Sequence, residues 1–134
     1  MASPKAEGTV FNIHLTGNIT GKTWDGDFRA KPILTFRDRL GVDRMRRELL
    51  GGDGTTADTE AAAAAKVISE LAYRLTEWPE WWKESKGGLD LADVNVMQEV
   101  YKAAEKVEND YFTKLEADGK AAQEKLKELT VKPV

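Results

Sequence analysis

The fold is decided in residues 9–31, which read TVFNIHLTGNITGKTWDGDFRAK. The first half alternates, with Phe11, Ile13 and Leu15 on one face and the residues between them on the other. A period of two that includes β-branched residues is typical of a half-buried strand. Gly17-Asn18 indicates a turn at the end of that strand.

The second half of this stretch predicts a hairpin. Residues 19–24 and 27–31 flank Asp25-Gly26, a dipeptide that strongly favours a two-residue turn between antiparallel strands. We therefore predict an N-terminal three-stranded antiparallel β-meander. The predicted buried face consists of Phe11, Ile13, Leu15, Ile19, Phe28 and Ala30.

Three main α-helices are predicted after the sheet, which makes the fold class α+β. Pro32 can end the third strand, and Thr35 caps a first helix over residues 36–50, with Asp38 completing a weak capping box. The apolar residues of this helix form two nearly opposite sets with Gly41 between them. We expect the helix either to bend there or to lie between two layers.

The second helix is predicted over residues 58–76, because its apolar residues recur with the period of a core-facing helix. The predicted stripe consists of Ala64, Val67, Ile68, Leu71, Ala72 and Leu75. Pro79 breaks this helix and suits the first turn of a short new one.

The last helix is predicted to be long. Asp90 caps it near Leu91, and Asp93 suits its first turn, where an acidic side chain offsets the positive end of the helix dipole. If continuous to Leu129, it would be a rod of about 60 Å. A compact domain cannot cover that length, so the distal half must protrude, fold back or pack on another chain. The predicted organisation is a flexible leader over 1–8, a single α+β domain over 9–118 and a charged helical extension over 119–134.

Composition excludes several classes of function. The chain has 134 residues, enough for about one domain, and a net charge of −3, unlike the strong basic excess of general nucleic-acid binders. It has no cysteine, and hence no disulfide framework or thiolate metal site. No apolar run is long enough to span a membrane, and the N-terminus does not have the pattern of a secretory signal. We expect a protein of the cytoplasm, or of a particle assembled there.

Catalytic motifs are absent from the sequence. His14 is the only histidine, lies on a predicted strand and is expected to be exposed and not catalytic. Glu77, Glu80 and Glu84 lie near tryptophans, as carboxylates do in glycosidase clefts, but surface helices carry such acids routinely. We predict a non-enzymatic protein with no catalytic, cofactor-binding or metal site.

The tryptophan cluster is the unusual feature. Three of the four tryptophans, Trp78, Trp81 and Trp82, lie within five residues around Pro79. Adjacent residues on a helical turn point about 100° apart, so Trp81 and Trp82 cannot readily share one core. Either all three rings are structural, or at least one anchors an interface, where tryptophan is enriched. We predict that Trp78 is structural, that Trp81 or Trp82 reaches a partner, and that these residues and Pro79 form the partner-binding site.

Three blocks of sequence carry a resemblance to a known family. They are GKTWDGDFRAKPILT (21–35), DRMRRELLG (43–51) and LAYRLTEWPEWWKES (71–85), the last followed by GLDLADVNV (88–96). Together they resemble the tail assembly chaperones encoded in the tail modules of long-tailed bacteriophages. The similarity covers about residues 9–112.

This resemblance implies a phage morphogenesis protein that binds apolar segments of the tape-measure protein, or of tail subunits, in the host cytoplasm before the tail polymerises. The groove would be lined by the helix predicted over residues 58–76, which is rich in alanine, and by residues 78–82, which we call the tryptophan turn. The alternative is a structural component of the virion, at the capsid, connector or tail, with its termini as clamps. Its expected partners are other phage structural proteins, with a homo-oligomer also possible and with neither nucleic acid nor membrane.

Overall fold

Two long antiparallel strands form the N-terminal part of the fold. Strand β1 (Thr9–Thr16) pairs with β2 (Thr23–Ala30) along the full length of both. The predicted turn at Gly17-Asn18 is confirmed, and the Gly17 amide donates to the Lys22 carbonyl at 2.8 Å. The structure, a computed structural model, describes residues 8–52, 56 and 58–131, with side chains as far as residue 127.

Parts of two predicted segments lie outside the described residues. These are residues 1–7 of the leader and residues 132–134 of the C-terminal extension.

The prediction of a hairpin turn at Asp25-Gly26 is wrong. Strand β2 runs straight through this dipeptide, with Asp25 opposite His14 and Gly26 opposite Ile13. A Cβ on Gly26 would stand 2.7 Å from the Cβ and Cγ atoms of Pro79. The glycine therefore gives room to a packed neighbour, and the chain does not turn there.

The third strand comes from a distant part of the chain. Strand β3 (Leu75–Glu77) pairs antiparallel with the end of β2, at Ala30 and Arg29, and gives the sheet order β1-β2-β3. The α+β class, the three-stranded antiparallel sheet and the long last helix are confirmed. Residues 19–22, predicted as part of a strand, belong to the β1–β2 turn, and Ile19 is 67% exposed where a buried position was predicted.

The helices of the described residues are α1 (Phe36–Leu49), α2 (Thr59–Arg74), α3 (Glu80–Glu84) and α4 (Val94–Val131). The predicted capping box of α1 is confirmed, because Thr35 Oγ1 accepts from the Asp38 amide while the Asp38 carboxylate accepts from the Thr35 amide. Asp58 caps α2 by accepting from two amides of its first turn.

Helix α1 packs on α2 by one face only. A Cβ on Gly41 would overlap the ring of Tyr73, so the glycine lets the two helices approach closely. Met45 packs against the core from the same helix. The other apolar set stays at the surface, with Phe36 76% and Leu40 53% exposed.

The core lies between the sheet, α2 and the first half of α4. Its largest fully buried apolar side chains are Phe28, Leu71, Val96 and Val100. The stripe predicted for α2 is partly confirmed: Ile68, Leu71 and Leu75 are buried, whereas Ala72 is exposed.

Helix α4 has a packed half and an exposed half. It begins at Val94, three residues after the predicted start at Leu91. Among its side chains described as far as residue 127, Ala104 and Val107 are the last buried ones, and every residue from 111 to 127 is exposed. Its 38 residues correspond to a rod of about 57 Å, so the distal turns project beyond the packed body.

Candidate protein-binding site around Trp78

The candidate site is the sharp path of the chain from α2 to α3. Helix α2 ends at Arg74, and the Lys31 amide donates to the Arg74 carbonyl at 2.8 Å, which begins the pairing that β3 continues. Pro79 then starts α3, and its carbonyl accepts from the Trp82 amide at 3.0 Å. The strand and the proline together fix where the three tryptophan rings lie.

Trp81 packs on the face of β2 that carries Trp24 and Phe28, at the margin of the core. Its indole Nε1 donates to the Asp25 carbonyl at 2.8 Å. Its ring packs against Trp24 with centroids 4.9 Å apart and meets the edge of Phe28 at 5.7 Å. The ring is half-buried and its polar atom is paired within the chain, so Trp81 is mainly structural.

Trp82 belongs to the core. It is 3% exposed and meets Phe28 edge to face, with ring centroids 5.5 Å apart. A Cβ on Gly88, which has φ of +99°, would stand 3.1 Å from the Trp82 ring. Ser85 closes the turn after α3 by donating to the Trp82 carbonyl at 2.7 Å.

Trp78 is the outward ring of the cluster, with 44% of its surface exposed. The expected order of burial is therefore wrong: Trp82 is the core residue, and Trp78, which was predicted to be structural, is the most exposed of the three. The reason is that the chain becomes strand β3 after Arg74, so Trp78 does not continue the helical stripe of Leu71 and Leu75.

Trp78 borders an open apolar groove of about 270 Å³. The floor is formed by residues at the end of α2, and one rim carries two lysines. The lining residues are Leu71, Ala72, Leu75, Trp78, Trp82, Lys83, Lys86 and Gly87. Pro79 lies beside this groove, packed on Gly26, and does not line it.

The lysine rim is built on unusual backbone geometry. Lys86 has φ of +56°, and Gly87 and Gly88 follow with φ of +71° and +99°. A lysine in the left-handed region is strained relative to glycine. The Gly87 amide donates to the Trp82 carbonyl at 3.1 Å, a bond typical of a left-handed turn that ends a helix.

Asp93 is a structural residue whose role the sequence did not reveal. Its carboxylate accepts from the amides of Ile19 and Thr20, from the Thr20 hydroxyl and from the Trp24 indole, at 2.6–2.8 Å. Burial acts to raise the pKa of Asp93, but these hydrogen bonds outweigh it and hold the pKa well below the usual value. Asp93 thus fixes the β1–β2 turn to the start of α4, and a Cβ on Gly17 would overlap its carboxylate.

A second buried polar group ties α2 to α4. Arg74 is 6% exposed and donates to Glu108 at 3.1 Å, with Glu70 3.8 Å from its Nε. The Tyr101 hydroxyl donates to Glu70 at 2.6 Å, and burial together with that carboxylate raises the pKa of Tyr101. The signal in the sequence is an arginine three residues after Leu71, on the core side of α2.

The remaining sequence predictions concern chemistry. His14 is exposed as predicted, with Nδ1 3.6 Å from the Asp25 carboxylate. Glu77 pairs with Arg29 at 3.1 Å, while Glu80 and Glu84 are exposed. Within the part of the chain that the structure describes, no group of histidine, aspartate and glutamate side chains has the arrangement of a metal site.

The chain matches no family model, no curated protein and no solved structure. Among the described helices, none is both long enough and apolar enough to cross a membrane.

Proposed function

We propose that this chain is a non-enzymatic phage morphogenesis protein, a tail assembly chaperone that binds an apolar segment of the tape-measure protein or of a tail subunit. The proposal joins the family resemblance of residues 21–35, 43–51 and 71–96 to one observation, the groove beside Trp78. An apolar groove bordered by a half-exposed tryptophan is the kind of surface that anchors protein interfaces.

The form of the groove favours a protein segment as its occupant. Its floor is aliphatic, from Leu71 and Leu75, and Trp78 adds a large flat ring at one side. Its volume of about 270 Å³ suits one or two side chains and lies just below the range of about 300–1,000 Å³ for sites that enclose a whole small molecule. A partner helix or extended segment would insert apolar side chains and leave its backbone outside.

The charge at the rim specifies the partner further. Lys83 and Lys86 are exposed on the α3 side of the groove. A carboxylate next to the apolar anchor of the partner would lie within reach of one or both ammonium groups. Such rim pairs contribute mainly to the association rate and to specificity. The preferred occupant is therefore an apolar segment with an acidic residue beside it.

The test is a titration with overlapping peptides from tape-measure proteins and tail subunits of long-tailed phages. We expect saturable binding of at least one apolar, acidic peptide. Trp78→Ala should weaken it at least tenfold, about 1.4 kcal/mol, while Phe36→Ala, which removes an even more exposed ring on α1, should leave it unchanged. Equal losses in both variants would refute the groove as the site.

Lys86→Asn supplies the matched charge control. Asparagine tolerates the left-handed backbone of residue 86, so the turn should be kept while the positive charge is removed. Binding of the acidic peptide should weaken, and that of its Glu→Gln version should not change.

Mass spectrometry of purified mature particles separates the chaperone from the virion component. A chaperone is absent or far below the copy number of the tail subunits, whereas a structural component is present in a fixed ratio to them.

A further inference from the structure

The exposed half of α4 carries a stripe of apolar side chains along one face of the helix. Tyr111, Leu115, Ala122 and Leu126 follow spacings of four, seven and four residues, which keeps them within about 60° of one another around the helix. All four are exposed, with Tyr111 at 38%, Leu115 at 53% and Leu126 at 60%. An amphipathic stripe of this kind normally faces another surface.

The exposed span of α4 is continuous. Every residue from 111 to 127 is exposed, whereas Ala104 and Val107, in the preceding turns, are buried.

We propose that residues 110–127 form an antiparallel two-helix interface with the same residues of a second copy of this chain. The two-fold axis would pass between Asp118 and Gly119. In that register Tyr111 lies opposite Leu126 of the second copy, and Leu115 opposite its Ala122. Each large side chain then meets a smaller or aliphatic one, and each contact occurs twice, as the two-fold symmetry of an isologous interface requires.

The charges select the antiparallel orientation. The nine residues 110–118 contain three acidic side chains and one lysine, a net charge of −2, whereas the nine residues 119–127 contain three lysines and one glutamate, a net charge of +2. Antiparallel pairing places the negative half of each helix against the positive half of the other. Parallel pairing would place like charges together along the entire interface, which is unfavourable.

The register leaves room for the two packed bodies. An overlap of 18 residues is about 27 Å long, and each body lies at the N-terminal end of its own segment. The bodies therefore sit at opposite ends of the helix pair. Gly119, which has no atom within 4 Å of an added Cβ position, lies at the centre, where the absence of a side chain allows close approach.

Cysteine cross-linking of the full chain tests the register, because the natural sequence contains no cysteine. A mixture of Leu115→Cys and Ala122→Cys chains should form a disulfide-linked heterodimer on oxidation. Neither variant alone should cross-link, since identical positions are about 10 Å apart along the axis and a disulfide needs Cα atoms within about 7 Å. Ala117→Cys, on the opposite helix face, mixed with Ala122→Cys is the matched control and should not cross-link.

Charge reversal measured by sedimentation equilibrium tests the orientation. Glu116→Lys with Asp118→Lys changes the charge of residues 110–118 from −2 to +2, and should weaken self-association about tenfold or more. Adding Lys125→Glu and Lys127→Glu to the same chain reverses the other half and should restore it.

Three results would overturn the proposal: a natural chain that remains monomeric at high micromolar concentration, cross-linking of Leu115→Cys with itself, or self-association that the first charge reversal leaves unchanged. Helix content measured by circular dichroism confirms that each variant is folded. The experiment needs no peptide ligand, so its failure leaves the groove at Trp78 untouched.

Discussion

Trp78 and Trp82 make different contributions to the stability of the fold. Trp82 is 3% exposed and packed on Phe28, whereas Trp78 is 44% exposed. We expect Trp82→Ala to lower the free energy of unfolding by about 3–5 kcal/mol and Trp78→Ala by about 1–2 kcal/mol. Urea titrations followed by circular dichroism measure both. A larger loss for Trp78→Ala than for Trp82→Ala would contradict the observed packing.

Asp93 should make the stability of the protein depend on acid pH. Because hydrogen bonds from Thr20, Trp24 and Ile19 lower its pKa in the folded chain, its contribution is fully present above the unfolded pKa, near 4. That contribution is lost as the pH falls from there toward the lowered folded pKa. In Asp93→Asn, the melting temperature should be several degrees lower at pH 7, with a shallower decline below pH 4. Thermal melts at pH 7, 4 and 3 test this, and an unchanged slope would show that other carboxyl groups dominate.

At the scale of the elements, Gly26 decides how the third strand and α3 meet the sheet. An added Cβ would lie 2.7 Å from Pro79 and 3.2 Å from the Trp81 indole nitrogen. We expect Gly26→Ala to destabilise the fold by about 1–3 kcal/mol through overpacking. Thr23→Ala, at an exposed position of the same strand, should cost less than about 1 kcal/mol. A neutral Gly26→Ala variant would mean that the tryptophan turn moves away from the sheet without cost.

Elements with local signals were predictable from the sequence. The alternation of Phe11, Ile13 and Leu15 identified β1, and the Thr35–Asp38 capping box identified the start of α1. The Asp25-Gly26 dipeptide gave a wrong prediction, because the local sequence does not distinguish a glycine in a turn from a glycine that provides room for a distant proline. Nothing local marks Leu75–Glu77 as a strand, since its pairing with Ala30 and Arg29 depends on residues far away in the sequence.

At the scale of the whole molecule, the residues of the candidate site were predictable from the sequence, but their arrangement was not. The cluster of three tryptophans around Pro79 identified the segment that borders the groove. Which ring faces outward depends on the change from α2 to β3 at Leu75, and a helical projection of Trp78 could not reveal it. The same limit applies to Asp93: the helix-start pattern explained an acid at that position, while its partners, Thr20 and Trp24, are brought to it only by the fold.

The origin of β3 also has a consequence for the order in which the protein folds. During synthesis from the N-terminus, β1 and β2 leave the ribosome well before Leu75, the residue that pairs with Ala30. At about 5–20 residues per second, the intervening stretch takes a few seconds to appear. Throughout that interval the edge of β2 and the apolar surface around Phe28 have neither β3 nor Trp82 to cover them, and uncovered edges invite pairing with other chains. The nascent protein is therefore most prone to aggregate before α3 emerges, and completing the sheet late is a kinetic cost of this topology.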